Sequence, residues 1–206
     1  MKIAILGSGG REHAIAYTIS KSEKIKKIYC LPGNAGTEDI AENIIIDTDN
    51  FKEVYEFLNK EKINLVVVGP EQPLVNGVVD FLEKRNVRVF GPNKIASQLE
   101  GSKIFTKNLC KKHSIPTADF GVFENIEDAK NFLKGVNYPI VIKADNLAAG
   151  KGVYISKNFD EANLAVNEIF QGKFGVAKNI LIEEFLKGEE MSYFVISDGK
   201  TIKNFG

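Results

Sequence analysis

Apolar residues along this chain come in short runs separated by amphipathic stretches, and that alternation predicts the fold. Residues 3–6 form a continuous apolar run that meets glycine, the pattern of a strand buried on both faces. A glycine loop follows, then a helix over 11–20, and strands at 27–31 and 44–46. Phe51, Val54, Tyr55 and Leu58 recur at helical spacing over 51–59. Residues 65–68 are another apolar run, Pro73 opens a helix through residue 84, and residues 87–90 close the series. Short connections and doubly apolar strands imply a parallel sheet with helices on both faces, a doubly wound α/β unit over residues 1–100.

The pattern changes at Gly91-Pro92. Two helical stretches, 94–100 and 102–113, flank Gly101, and Ser114-Ile115-Pro116 breaks them because proline cannot extend a helix. Residues 101–120 thus read as a helical linker. A second, smaller α+β unit is expected over 121–190, with strands at 120–123, 139–143, 153–156 and 180–184 and helices over 126–133 and 159–170. A further strand is expected at 191–196. Asp198-Gly199 is a hairpin-turn pair, and 201–205 would begin the return strand. Ending on an unfinished strand, residues 191–206 read as the start of a sheet cut from something longer.

Charge and composition narrow the function. The 206 residues hold 27 basic and 27 acidic side chains, a formal net charge of zero, which gives no electrostatic case for nucleic acid or an anionic membrane as partner. No run approaches the roughly 18 apolar residues of a membrane span, and the apolar start is too short for a signal peptide. Cys30 and Cys110 sit in no metal or redox motif and read as isolated buried thiols. A soluble, cytoplasmic protein is expected.

Candidate chemistry lies in the loops. Gly7-Ser8-Gly9-Gly10-Arg11-Glu12-His13 joins a buried strand to a helix, where bare glycines and free N–H groups favour an anion. The dinucleotide fingerprint fails: its third glycine falls at Glu12, and residues 28–31 do not end in an acidic residue. Arg11 and His13 suit a phosphosugar better. Loops 32–37 (with Asn34) and 69–74 (with Glu71) follow strands too, and in an open parallel sheet such loops converge on one crevice. Farther on, Lys143 ends an apolar strand, where an ammonium is costly unless it meets an anion or solvent. A small-residue loop then presents Lys151 between Gly150 and Gly152. This is not a Walker A loop, since its first glycine would fall at Asp145 and Gly152 replaces the metal-binding hydroxyl. Two lysines flanking such a loop can still neutralise triphosphate oxygens. Residues 180–182 run into Glu183-Glu184-Phe185-Leu186, whose backbone could meet an adenine edge, with a carboxylate beyond for ribose hydroxyls.

Taken together, Gly9–His13, residues 32–37 and 68–74, Leu99-Glu100-Gly101-Ser102-Lys103, Lys143-Ala144-Asp145, residues 148–153 and Glu183–Leu186 with Gly188-Glu189-Glu190 resemble the phosphoribosylamine–glycine ligase (glycinamide ribonucleotide synthetase) family of ATP-grasp enzymes. They occur in that family's order and cover the whole chain. The resemblance implies ATP-dependent joining of glycine to 5-phosphoribosylamine through an acyl phosphate, in purine biosynthesis. It implies ATP phosphates at Lys103 and Lys143 and a closing loop at Gly150, Lys151 and Gly152. Glu183, Glu184 and Leu186 would line the adenine edge, with Glu190 at the ribose. Gly9, Gly10, Arg11, Glu12 and His13 would hold the phosphoribosylamine side, with Asn34 and Glu71. Asn146 stands where the family has glycine. By the family pattern the Mg²⁺ or Mn²⁺ ligands and the rest of the core ATP-grasp sheet lie beyond residue 206, so the chain by itself is expected to be inactive. Another ATP-grasp carboxylate–amine ligase and a non-catalytic phosphosugar-binding module are the alternatives.

Overall fold

The computed structural model describes residues 1–145, 152–175 and 178–204. Its first unit is a five-stranded parallel sheet in the order β3-β2-β1-β4-β5, formed by β1 (Lys2–Gly7), β2 (Lys27–Pro32), β3 (Glu42–Asn43), β4 (Leu65–Val68) and β5 (Val89–Phe90). The central strands are apolar on both faces because both are covered. Ala4, Leu6, Tyr29 and Val66 pack on one side with Val54 and Leu58 of α2 (Phe51–Lys60), while Ile3, Ile5, Cys30 and Val67 pack on the other with Ala16 of α1 (Gly10–Ser20).

Two expectations shift here. The third strand pairs at Glu42–Asn43 rather than 44–46, because Ile44 donates to the Cys30 carbonyl at the edge and Ile46 turns into the core. The helix expected from Pro73 to 84 is two helices, α3 (Glu71–Asn76) and α4 (Val78–Glu83), since Gly77 at φ 98° takes the left-handed conformation that ends one helix before the next begins.

Between the two sheets lie α5 (Gln98–Gly101) and α6 (Lys103–Lys112); α5 falls mostly ahead of residue 101, and 94–97 form turns rather than the helix expected there. Beyond them, β6 (Phe120–Phe123), β7 (Ile140–Ala144), β8 (Val153–Ser156) and β9 (Ile180–Glu184) form an antiparallel sheet ordered β6-β9-β7-β8. Helices α7 (Ile126–Leu133) and α8 (Phe159–Phe170) cover one face, burying Ile140, Ile142, Ile180 and Ile182 against Ala129, Leu133, Ala162, Ala165, Val166 and Ile169. Asn50, Ser102, Asn125 and Asn158 each accept the N3 backbone N–H of the helix they precede, which explains why four helices start where they do. A hairpin of β10 (Val195–Ser197) and β11 (Ile202–Asn204) turns at Asp198-Gly199, and residues 191–194 carry no strand. Cys30 is buried, but Cys110 is only half-buried; both are free thiols.

Candidate functional site

Three loops leave the carboxyl ends of β1, β2 and β4 and are tied to one another. The Asn34 amide donates to the Ser8 carbonyl at 2.8 Å, joining the β2 loop to the β1 loop. Arg11 Nη1 meets Glu71 Oε1 at 2.7 Å, joining the start of α1 to the start of α3. That hydrogen bond raises Arg11 above its ordinary value and holds the Glu71 carboxyl below the usual carboxylate range. His13 lies so close to Gly36 that a Cβ there would come within 2.9 Å of its ring. Gly9, Gly10 and Arg11 are exposed, His13 and Asn34 partly so.

Glu12 is placed differently from its neighbours. It is buried, and one carboxylate oxygen accepts the Gly9 N–H at 2.6 Å, so the protein's own anion already occupies part of this helix start. Its other oxygen, Oε1, is buried without a hydrogen-bond partner. The side chain lies across Gly7, Gly9 and Gly69, and a Cβ on any of the three would come within 2.8 Å of it. The glycines of this loop pair therefore make room for a protein carboxylate as well as for a ligand.

A second cluster forms where the linker meets the antiparallel sheet. Ser102 Oγ and the Ile104 N–H, on either side of Lys103, both bond the Asp145 carboxylate at 3.1 Å. Asp145 lies two residues beyond Lys143, so the turn of α6 that carries Lys103 is pinned beside the end of β7. Lys143 Nζ meets Glu183 Oε2 at 2.7 Å, and Lys107 Nζ meets Glu183 Oε1 at 3.3 Å. Strand register explains the first pair. Lys143 opposes Leu181 and Val141 opposes Glu183, so Lys143 and Glu183 are diagonal neighbours on the face that α7 and α8 leave uncovered. Val122, Val153 and Ile155 share that face and are exposed, giving an apolar shelf with charges at its centre.

Lys107 carries no motif and is missing from the expected set. Its signal is its spacing, four residues after Lys103 on the same helix, together with an acid and a base ending adjacent apolar strands. Glu184 is exposed at the end of β9, where its Oε1 accepts the Asp119 N–H, and Leu186 and Glu190 are exposed beyond the strand. Gly152 takes φ 76° and packs near Phe174, whereas Asn146, Gly150 and Lys151 lie outside the described residues.

The two clusters are linked. Glu100 of α5 contributes to the charge around Arg11, and a Cβ on Gly101 would come within 2.8 Å of Val75 in α3. Through α5 and the start of α6 the loops of the first unit are thus connected to Asp145. Family models match the entire chain: phosphoribosylglycinamide synthetase, N domain, over residues 1–100, and its ATP-grasp (A) domain over 101–206. The chain belongs to the phosphoribosylglycinamide synthetase family. A Mesorhizobium japonicum protein named phosphoribosylamine–glycine ligase is 49% identical over 207 residues, covering all of this chain and 49% of the relative. A Clostridium acetobutylicum protein of the same name is 45% identical. Among solved structures, the Thermotoga maritima phosphoribosylamine–glycine ligase superposes with a TM-score of 0.82 at 34% identity, covering 99% of this chain and 49% of that one. The biotin carboxylase domain of a Hydrogenobacter thermophilus 2-oxoglutarate carboxylase (TM-score 0.69, 21% identity) and a Vibrio cholerae D-alanyl-alanine synthetase (0.71, 17%) share the fold. The chain spans about half the length of the curated relatives it matches.

Proposed function

We propose that this chain supplies the phosphosugar crevice and half of the nucleotide clamp of a ligase that joins glycine to 5-phosphoribosylamine, with ATP cleaved to ADP and phosphate. The observation that carries the reading is the Asp145 tie, which brings the Lys103 turn of α6 and the end of β7 with Lys143 to one place. Lys103 and Lys143 would meet the phosphates, and Gly150, Lys151 and Gly152 would close over them. The apolar shelf beside Glu183, Glu184 and Leu186 suits a flat base, with Glu190 toward its ribose. In the first unit, Gly9, Gly10, Arg11, His13 and Asn34 would hold the phosphoribosyl group, while Glu12 and Glu71 fix the loop and the arginine.

In the reaction, the glycine carboxylate attacks the γ-phosphorus of ATP and ADP leaves. The amine of phosphoribosylamine then attacks the acyl carbon of glycyl phosphate, and inorganic phosphate leaves as the amine loses a proton. The protein's part is positioning and electrostatic: ammonium groups offset charge on the transferring phosphoryl group, and a covered site keeps water from the acyl phosphate. Among the described residues no three His, Cys, Asp or Glu side chains gather as a metal site.

A chimera tests the reading, with this chain replacing the matching half of the Mesorhizobium japonicum relative. Glycine- and phosphoribosylamine-dependent phosphate release is expected, and Lys143→Met should abolish it. The 206-residue chain alone should give no turnover but should show a melting shift with ribose 5-phosphate. Glycine-dependent ADP release by the isolated chain, or a chimera that folds and turns over normally with Lys143→Met, would overturn the assignment.

A further inference from the structure

The two lysines at Glu183 are not equivalent. The Lys107 side chain is 10% exposed and that of Glu183 is 6% exposed, while that of Lys143 is 27% exposed. Lys107 donates to Thr117 Oγ1 at 2.7 Å and to the Ala118 carbonyl at 2.9 Å, and its ammonium is ion-paired with Glu183 Oε1 at 3.3 Å. The Phe120 ring lies 5.4 Å from it. Lys143 instead sits at a strand end on the open face, reaching both Glu183 Oε2 and solvent.

We propose that Lys107 is a positioning residue, the permanent counter-ion of Glu183, whose presence lets Lys143 leave that carboxylate for an anionic ligand. The proposal rests on the reading of Lys143 as a phosphate-binding group. When Lys143 swings toward a polyphosphate, Glu183 keeps its bond to Lys107 through the other oxygen. Without Lys107 the same movement would strand a buried carboxylate with no cation, which is strongly unfavourable. Two ammonium groups around one carboxylate also leave one positive charge uncompensated, and that charge is the one offered to the ligand. Glu183 in turn parks Lys143 on this face until a ligand draws it away.

The test is an amide-detected NMR titration of the 206-residue chain with tripolyphosphate, up to millimolar concentration. The variants are Lys143→Met, Lys107→Met, Glu183→Gln and the double variant Lys107→Met/Glu183→Gln. Wild type should show saturable shifts near residues 141–145 that vanish in K143M. K107M should bind about tenfold more weakly, and adding E183Q should restore binding, because a neutral amide needs no counter-ion. K107M binding as wild type does, or the double variant binding as weakly as K107M, would overturn the proposal while leaving the phosphate reading intact. Equal responses in wild type and K143M would overturn both. If K107M does not keep its fold, E183Q and the double variant carry the test: equal affinities are expected, and weaker binding on removal of Lys107 from the E183Q background would give it another role and end the proposal.

Discussion

Glycine 69 is where the packing of the first crevice can be tested most sharply. A Cβ at this position would stand 2.1 Å from Glu12 Oε1 and 2.6 Å from both Glu12 Cδ and Cγ. Its φ lies outside the left-handed range, so Gly69→Ala carries no intrinsic backbone strain and its cost is the collision alone. Glu12 is held between Gly7, Gly9 and Gly69 and cannot step aside without releasing the Gly9 N–H. Overpacking costs about 1–3 kcal/mol, and because Gly9 is exposed its N–H can turn to water if Glu12 is displaced, so a loss of roughly 1–3 kcal/mol is expected. Gly10→Ala is the control. Nothing lies within 4 Å of its Cβ and the residue opens a helix, so it should be neutral or stabilising by about 0.4–1 kcal/mol. Urea unfolding of the chain measures both. In a Glu12→Ala background the collision partner is gone, and the penalty of Gly69→Ala should fall by about 1 kcal/mol or more. A Gly69→Ala protein as stable as wild type, or a penalty unchanged by Glu12→Ala, would refute the idea that Glu12 fills the space these glycines leave.

Asp145 accepts from Ser102 Oγ and the Ile104 N–H, so Asp145→Ala should cost about 1–2 kcal/mol in urea and speed amide exchange in the first turn of α6, whereas loss of stability without faster exchange there would argue against the tie. The Arg11–Glu71 pair gives a pH signature. Because the folded carboxyl of Glu71 is depressed, its contribution is fully present above the unfolded value of about 4.3 and is lost as pH falls through the lower folded value. Both side chains are more than a third exposed, so screening limits the effect to roughly 1 kcal/mol or less. The stability gap between wild type and Glu71→Gln should therefore close between about pH 5 and pH 2 and shrink in high salt, and a gap constant across that range would remove the ion pair from the account.

Periodicity made most of the fold legible because most elements are bounded by strong local signals. Strands β6, β8 and β9 and helices α7 and α8 lie where the apolar spacing puts them, and asparagine caps mark the starts of both helices. The errors fall where tertiary contact decides. Gly77 splits a continuous helical pattern because the chain must turn there, and Ile44 and Ile46 look like a strand although the edge pairing has already been taken by Glu42 and Asn43. Among candidate ligand contacts, loop glycines and strand-end lysines were readable because each violates a local rule. The burial of Glu12 and the role of Lys107 were not. Each depends on residues distant in sequence: Glu12 on Gly69, and Lys107 on Glu183, Thr117 and Ala118.

The two units carry different kinds of information about the substrate. A biotin carboxylase domain and a D-alanyl-alanine synthetase share this fold at 21% and 17% identity, so the choice of substrate in the function proposed above is to be sought in particular side chains and not in the architecture. An ammonium at a strand end, an apolar shelf and a small-residue loop would serve any acyl phosphate chemistry that starts from ATP. Selectivity must then come from groups whose geometry is fixed before the ligand arrives, because only preorganised donors discriminate without an ordering cost. The first crevice meets that condition. Arg11 is held by Glu71, Asn34 by the Ser8 carbonyl and the loop beneath them by Glu12, with the His13 ring lying close to Gly36. An arginine whose fork is half engaged by a carboxylate can still offer its remaining N–H groups to a phosphate. Under the function proposed above, substitutions at Arg11, His13 or Asn34 should therefore change which amine acceptor is used, whereas substitutions at Lys143 or Asp145 should weaken every acceptor alike.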